Sequence, residues 1–214
     1  MSDIHHLLSI HPHLARASEL GTITGLPTGL PVLDKALGGG VPRGRLTEIH
    51  GGMTGGKLTL ARALLETTLG GDGRVAWVDL AGMFLPPETM AEASLRHLLV
   101  LRPSEPEAAR NATGILARSG AWELLVADFT GHRHRIPPAW VQKLARALRN
   151  SATACVLLHD EGARTLGDTI SLRLQVRRER TAEGRALQVT IARNKLGHAT
   201  ATLHIPLGEP GEAP

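Results

Sequence analysis

Short apolar runs and stretches of helical spacing follow one another along the chain and predict the order of strands and helices. Runs typical of buried strands occupy residues 46–50, 74–80, 98–101, 124–129 and 154–159. Leucine and alanine recur at helical spacing in residues 58–69, and further helical stretches are predicted at 88–96, 106–119 and 138–150. This alternation predicts an α/β fold with a mainly parallel, twisted sheet flanked by helices.

The pattern changes after residue 171, where polar and apolar residues alternate. Three strands are predicted at residues 172–178, 187–193 and 200–205, joined by turns that contain Gly184 and Gly197. They form an antiparallel C-terminal extension of the sheet. We therefore divide the chain into an N-terminal helical appendage (residues 1–20), one core domain (21–207) and a flexible tail (208–214).

Composition narrows the class of protein without deciding its function. The 24 Lys and Arg residues exceed the 20 Asp and Glu residues only slightly, so the charge of +4 permits an acidic partner without demanding one. Aromatic residues make up only 2% of the chain, which argues against a base-stacking platform for single strands. The chain has no run of ~18 apolar residues and no signal peptide, which predicts a cytoplasmic protein without a membrane span. Its histidines show no metal-ligand spacing.

Residues 51–59 read Gly-Gly-Met-Thr-Gly-Gly-Lys-Leu-Thr, which is the pattern of a phosphate-binding loop (P-loop) between a strand and a helix. The glycines supply backbone N–H groups for phosphate, and the lysine supplies a cation. Leu58, however, stands where the motif requires the Ser or Thr hydroxyl that ligates Mg²⁺. The pattern predicts a nucleotide-site scaffold whose catalysis is degraded or lost.

A second half of such a site requires an Asp at the end of an apolar strand, placed to hold a metal-bound water. Asp128 ends the run 124–128 and fits this role; the alternative is an Asp that caps a strand end or a helix. The candidate residues of the vestigial nucleotide site are therefore Gly51, Gly52, Gly55, Gly56, Lys57, Leu58, Thr59 and Asp128.

The segment from Thr24 to Ile49 resembles the lead-in to the P-loop of the RecA recombinase family. It carries in order Thr-Gly, Leu-Asp, Ala-Leu-Gly, a Gly-rich link, and then Pro, Gly-Arg and Glu-Ile. Matches at residues 116–121 and at Arg193-Asn194-Lys195 extend the resemblance over about residues 22–205. The resemblance implies a RecA-like P-loop core. In that family, the two basic residues that match Arg193 and Lys195 reach phosphates bound by a neighbouring subunit.

The departures from the family pattern imply that ATP-driven strand exchange is lost. Ala81 stands where the family carries the Glu that polarises the attacking water. His159-Asp160 replaces the Gln that senses the γ-phosphate. Residues 161–168 are too few to form the DNA-binding loop that follows it, and the other DNA-binding segment is cut down to residues 131–138. We expect a pseudo-ATPase with no catalytic residue, no required cofactor and only weak binding of ATP or ADP.

Among short, degenerate RecA relatives, the chain is most similar to the ImuA family of accessory proteins in bacterial mutagenic translesion synthesis. This resemblance implies an SOS-linked adaptor, associated with the nucleoid during DNA damage. Its partners would be an ImuB-like Y-family polymerase homologue, an error-prone DNA polymerase and RecA, with weak or indirect DNA contact. The candidate partner-binding residues are Ile4, Leu7 and Leu8 of the N-terminal appendage together with Arg193 and Lys195.

Two other functions fit the same residues: a working RecA-family DNA-dependent ATPase, and a nucleotide-binding regulator of cell division. Basic residues also leave direct DNA binding open. Lys143, Arg146 and Arg149 form a stripe on one predicted helix, which is typical of a solvated face. Any DNA contact they make should be directed at phosphate and sensitive to salt.

Overall fold

The structure, a computed structural model, describes residues 24–86, 90–132, 136–149, 151–161, 166–182, 184–197 and 200–207. The predicted N-terminal appendage, with Ile4, Leu7 and Leu8, and the predicted tail over residues 208–214 lie outside the described residues. The predicted short loops 131–138 and 161–168 are described only in part.

The strands are β1 (Gly25–Leu26), β2 (Val41–Pro42), β3 (Leu46–Gly51), β4 (Val75–Asp79), β5 (Leu98–Leu101), β6 (Leu124–Asp128), β7 (Ala154–Asp160), β8 (Leu172–Thr181), β9 (Gly184–Asn194) and β10 (Thr202–Leu207). The helices are α1 (Pro31–Leu37), α2 (Lys57–Gly70), α3 (Glu92–Leu95), α4 (Pro106–Ser119) and α5 (Pro138–Leu148). Within the described ranges, no helix is long and apolar enough to cross a membrane.

The central sheet has the strand order β10-β9-β8-β3-β7-β6-β4-β5. The six strands from β8 to β5 pair in parallel, whereas β9 and β10 are antiparallel. Every residue of β4 and of β6 is buried, because helices cover both faces of a parallel sheet. The predicted α/β fold, with a mostly parallel sheet and an antiparallel C-terminal extension, is confirmed.

Two hydrophobic layers hold the helices against the sheet. On one face, Leu60 and Leu64 of α2 belong to the same cluster as Ile49 of β3. On the other face, Leu144 of α5 belongs to a cluster with Leu46 of β3. Residues 46 and 49 point to opposite sides of the sheet because side chains alternate along a strand. The loops that follow the parallel strands lie at the carboxyl edge of this sheet. Binding sites in open α/β sheets form at that edge.

Several predicted boundaries differ from the structure. The helix predicted at 88–96 is reduced in the described residues to α3, and none of its four residues is buried, so it has no apolar face to extend. Strands β8 and β9 are longer than predicted because they pair as one hairpin from Leu172 to Thr181. Helix α1 was missed, although Pro31 in its first turn and Gly38 as a left-handed C-cap are its sequence signals.

Candidate functional site

The P-loop connects β3 to α2 and has the strand–loop–helix context that the sequence predicts. Gly51 ends β3 against β8, and a Cβ atom there would lie 2.1 Å from the Val176 carbonyl oxygen, so only glycine fits. The Gly55 N–H donates to the Gly52 carbonyl (2.9 Å) and closes the loop. Gly56 precedes α2 with φ of 98°, a left-handed conformation that favours glycine.

Lys57 is the first residue of α2, and its side chain is only 1% exposed. Its Nζ donates to the Gly51 carbonyl (2.8 Å), to the Gly52 carbonyl (3.0 Å) and to Asp160 Oδ1 (3.0 Å). An ammonium group has three N–H donors. All three are therefore used inside the protein, and a phosphate group could bind Lys57 only by displacing one of these acceptors.

Asp160 ends β7 and pairs in register with Gly51. Its Oδ2 accepts a hydrogen bond from the Gly131 N–H at 2.7 Å, while Oδ1 binds Lys57. Burial raises the pKa of Asp160, but the hydrogen bonds from Gly131 and Lys57 outweigh this and hold the pKa below its ordinary value. Asp160 therefore places a fixed negative charge beside the P-loop, where the family resemblance implied a neutral Gln.

The two residues that follow Lys57 both make contacts within the protein. Leu58 is partly buried and packs against the hydrophobic cluster under α2, so its side chain belongs to the core. The Thr59 hydroxyl accepts a hydrogen bond from Arg178 Nη2 at 2.9 Å. Among the described residues, no group of three or more His, Cys, Asp or Glu side chains is arranged to hold a metal ion.

Asp128 lies at the end of β6, as predicted, and is 1% exposed. Its Oδ1 accepts a hydrogen bond from the Thr130 N–H at 2.8 Å, and its buried Oδ2 has no hydrogen-bond partner among the described residues. Burial raises the pKa of Asp128 despite the hydrogen bonds from Thr130. An unpaired buried oxygen fits a former metal-water position, but a raised pKa weakens the charge that such a position needs.

The loop after β4 is built around Asp79, and its described residues carry no substitute for the Glu that the family pattern places at position 81. The Asp79 carboxylate accepts hydrogen bonds from the Met83 and Phe84 N–H groups (3.1 and 3.2 Å) and from Arg102 Nε (3.2 Å). Ala81 lies within this loop, and residues 81–86 include no carboxylate. The described part of the loop therefore offers no general base.

The described residues do not fit a Mg²⁺-nucleotide as they are arranged. The cation of the P-loop is saturated by the protein, the metal-binding hydroxyl is replaced by Leu58, and Asp160 would repel a phosphate. The backbone of the P-loop is present, but the side chains of Lys57, Leu58 and Thr59 contact other residues of the protein.

A buried charge network that the sequence interpretation missed lies behind the P-loop strand. Glu48 of β3 is fully buried, and its two oxygens lie 2.7 Å from His159 Nε2 and 2.6 Å from Arg173 Nε. Burial raises the pKa of Glu48, but the hydrogen bonds from His159 and Arg173 outweigh it and hold the pKa below its ordinary value. A Glu within a strand predicted to be buried was the available signal, because a buried carboxylate requires partners.

Arg193 and Lys195 lie far from the P-loop of their own chain. The Lys195 N–H donates to the Ser171 carbonyl (2.9 Å), and the Ser171 N–H donates to the carbonyl of Leu46, where β3 begins (3.0 Å). Lys195 is therefore at the amino edge of the parallel sheet, about 20 Å from the P-loop across a six-residue strand. Arg193 pairs with Arg173, which pairs with Glu48 in the middle of β3. Arg193 Nη1 binds Asp168 Oδ1 at 2.7 Å, and Lys195 Nζ donates to the Asp168 carbonyl.

A P-loop on a mostly parallel sheet with an antiparallel extension defines a RecA-like α/β protein. Residues 13–136 match the RecA N-terminal domain. The chain is 32% identical to Protein RecA of Thermus aquaticus, 30% to that of Thermus thermophilus and 29% to that of Streptomyces coelicolor, in each case over 80% of its length. It belongs to the RecA family, as the resemblance predicted. It spans 63%, 63% and 57% of the lengths of these three relatives, respectively.

Proposed function

We propose that this protein is a catalytically degenerate, RecA-like adaptor in SOS-induced mutagenic translesion DNA synthesis. The main observation in support of a loss of catalysis is that two P-loop carbonyls and Asp160 already use all three N–H donors of Lys57. Its partners in this proposal are an ImuB-like Y-family polymerase homologue, an error-prone DNA polymerase and RecA. The resemblance to the ImuA family, carried by the altered P-loop and residues 41–48, supports the particular pathway.

The charge of Asp160 opposes nucleotide binding in two ways. Its carboxylate occupies one donor of Lys57, and it would lie close to any phosphate that approached the same ammonium. Two like charges about 4 Å apart repel by about 1 kcal/mol in water and about 4 kcal/mol near a protein surface. Since Asp160 is 32% exposed, the lower part of this range applies. This cost is enough to reduce affinity by about tenfold.

The rival function, a working RecA-family ATPase, is favoured by one specific observation. The Gly-rich loop, Lys57 and Asp128 all remain at the carboxyl edge of the sheet. Under this alternative, a nucleotide would displace Asp160 from Lys57, and hydrolysis would respond to DNA. Turnover therefore separates the two functions.

We expect wild-type protein to hydrolyse ATP no faster than background, with or without single-stranded DNA. Asp160→Asn should bind ATP about tenfold more tightly, because a neutral amide of the same shape removes the repulsion and holds the Lys57 ammonium less strongly than a carboxylate does. It should still not hydrolyse ATP, since Leu58 and Ala81 are unchanged. Titration calorimetry and a phosphate-release assay measure the two effects.

The matched control is Asp72→Asn, the same change at an exposed turn after α2 where the backbone φ is 59° and Asn is tolerated. Its ATP affinity should equal that of the wild type. DNA-stimulated turnover in the wild type that disappears in Lys57→Ala would overturn the proposed loss of catalysis. Unchanged ATP affinity in Asp160→Asn would show that Asp160 does not oppose nucleotide binding.

Arg193 and Lys195 supply the part of the proposal that concerns RecA. We expect Arg193→Ala with Lys195→Ala to weaken binding to ATP-loaded RecA filaments by about a hundredfold. Two charge-assisted contacts to phosphate are together worth about 3 kcal/mol. Their present partner, the 94% exposed Asp168, is an easily displaced substitute. This protein would then contact the phosphates bound by a neighbouring RecA subunit, although its own P-loop forms no working ATPase site.

Filament binding by the double variant is measured by surface plasmon resonance, with Lys143→Ala as a control that removes an exposed cation elsewhere. Equal affinity of wild type and double variant would contradict this role, as would equal binding to nucleotide-free RecA. The predicted helix with Ile4, Leu7 and Leu8 remains a second candidate docking segment.

A further inference from the structure

A cleft lined mainly by basic and polar side chains lies at the amino edge of the sheet, at the opposite edge from the P-loop. Its volume is about 730 Å³, within the range of about 300–1,000 Å³ that is typical of binding pockets. Four cationic side chains line it: Arg45, Arg146, Arg149 and Lys195. We call this feature the basic cleft. Its size suits a few residues of an extended chain and not a folded domain.

The fold brings these cations together from three parts of the chain. Helix α5 ends at Leu148. A Cβ atom at Gly44 would lie 3.2 Å from the Leu148 carbonyl oxygen, so the end of α5 packs directly on the residue before Arg45. Lys195 is joined to the start of β3 through the backbone hydrogen bonds of Ser171. Backbone packing between regular elements therefore sets the positions of the cations.

The positive charge of the cleft is only partly offset by its described acidic residue. Asp168 is the acidic residue among the described residues that line the cleft, and Arg193 already binds its Oδ1 at 2.7 Å. Arg146 and Arg149 are exposed, and within the described ranges neither forms a salt bridge. They lie three positions apart on α5, so their side chains are neighbours. Both guanidinium groups are therefore available to an anionic ligand.

The other polar groups of the cleft indicate which kind of anion fits it. Gln142, Thr169 and Ser171 contribute an amide and two hydroxyl groups, which both donate and accept hydrogen bonds. The hydrogen bond from Arg193 lowers the pKa of Asp168, so this 94% exposed carboxylate stays charged and can only accept. A phosphate chain offers only acceptors along its length and would be repelled by Asp168. A peptide carries N–H donors as well, with acidic side chains at intervals.

We propose that the basic cleft binds an extended, acidic segment of a partner protein. Arginine clusters recognise acidic motifs, because each guanidinium group binds a carboxylate through paired N–H donors. Alternate residues of an extended chain lie about 7 Å apart on one face, so two acidic side chains can reach Arg146 and Arg149 together. The backbone N–H groups of the same segment can donate to Asp168 and Gln142. This mixture of contacts distinguishes an acidic peptide from a simple polyanion.

The inference rests on the proposed adaptor function only in that an adaptor requires a docking surface for a partner. The two can fail separately, because the basic cleft uses no residue of the P-loop. Failure to bind an acidic segment would leave the expected ATP affinities and the absence of turnover unchanged. DNA-stimulated ATP turnover would overturn the adaptor function without changing the binding of an acidic segment.

The test is fluorescence anisotropy at about 0.1 M salt, where the Debye length is about 10 Å. The wild type should bind a labelled peptide that alternates Glu and Ser, and should bind a matched peptide of Gln and Ser at least about tenfold more weakly. Arg146→Glu and Arg149→Glu should each weaken binding of the acidic peptide about tenfold, since each replaces an attraction with a repulsion.

Lys143→Glu is the matched control, because it makes the same charge change on the same helix, but residue 143 is not among the described residues that line the cleft. Its affinity for the acidic peptide should stay within about twofold of the wild type, because salt screens more distant charges. Thermal melts confirm that the three variants are folded. Equal losses in Lys143→Glu and Arg146→Glu, or no binding by the wild type, would overturn the proposal.

Competition establishes the class of ligand. Unlabelled acidic peptide should displace the probe, whereas oligothymidylate and inorganic tripolyphosphate at the same concentration of negative charge should compete at least about tenfold less well. Competition by oligothymidylate as strong as that by the peptide would show a nucleic-acid site instead. Equal competition by tripolyphosphate would show a general anion site, and either result would contradict recognition of a protein segment.

Discussion

Replacing Arg173 with methionine is expected to lower the free energy of unfolding by about 3–5 kcal/mol, the cost of breaking a buried ion pair by removing one partner. Arg173 Nε binds the fully buried Glu48 at 2.6 Å. Methionine keeps much of the volume, but of the described partners of that carboxylate it leaves His159 and the Leu166 N–H. Urea unfolding followed by circular dichroism measures the change.

Arg177→Met is the matched control on the same strand and the same face of β8. Its guanidinium binds Glu161, and both side chains are substantially exposed, so this pair is worth at most about 1 kcal/mol. Adding Glu48→Gln to Arg173→Met should recover part of the loss, because an amide is less costly to bury than an unpaired carboxylate. Equal losses of unfolding free energy in Arg173→Met and Arg177→Met would show that the buried Glu48 pair stabilises the fold no more than an exposed pair does.

Gly51→Ala is expected to lower the free energy of unfolding by about 3 kcal/mol, the upper end of the cost of overpacking. The new methyl group would overlap the Val176 carbonyl oxygen 2.1 Å away, which belongs to the backbone of β8 and cannot rotate aside. This overlap can be relieved only if β3 and β8 separate where the P-loop begins. The displaced Gly51 carbonyl is also an acceptor for Lys57, so the loop should loosen as well.

Gly52→Ala provides the comparison one residue later, where an added Cβ would have nothing within 4 Å. Its unfolding free energy should change by no more than about 0.5 kcal/mol. Chemical denaturation gives both values, and hydrogen exchange of the P-loop amides reports the loosening. A Gly51→Ala protein as stable as Gly52→Ala would mean that β3 and β8 do not approach so closely.

The predictions from sequence succeeded where local physics decides the outcome. Helix α4 has the predicted bounds, Pro106–Ser119, since proline in the first turn and Gly120 as a left-handed C-cap punctuate it. Strand β6 was readable as an apolar run because both of its faces are buried. Helix α3 was overestimated because helical spacing alone does not supply a surface to pack against.

The candidate site was predicted only in part for a different reason. The P-loop and the substitution at Leu58 are consecutive residues, so the motif reveals them directly. The contact between Lys57 and Asp160 joins residues 103 positions apart, and the register of β3 against β7 creates it. Glu48 and Arg173 are 125 positions apart and meet only because β8 pairs with β3.

The sequence by itself determined the alternation of strands and helices, the family and the loss of the metal-binding hydroxyl, because each of these depends on residue types at short spacing. Only the tertiary structure decided which charges meet. Parallel pairing of distant strands places Asp160 on Lys57, and the return of α5 along the sheet carries Arg146 and Arg149 to Arg45 and Lys195. Electrostatic interactions change steeply over a few ångströms, so the function of these side chains depends on packing that no local pattern encodes.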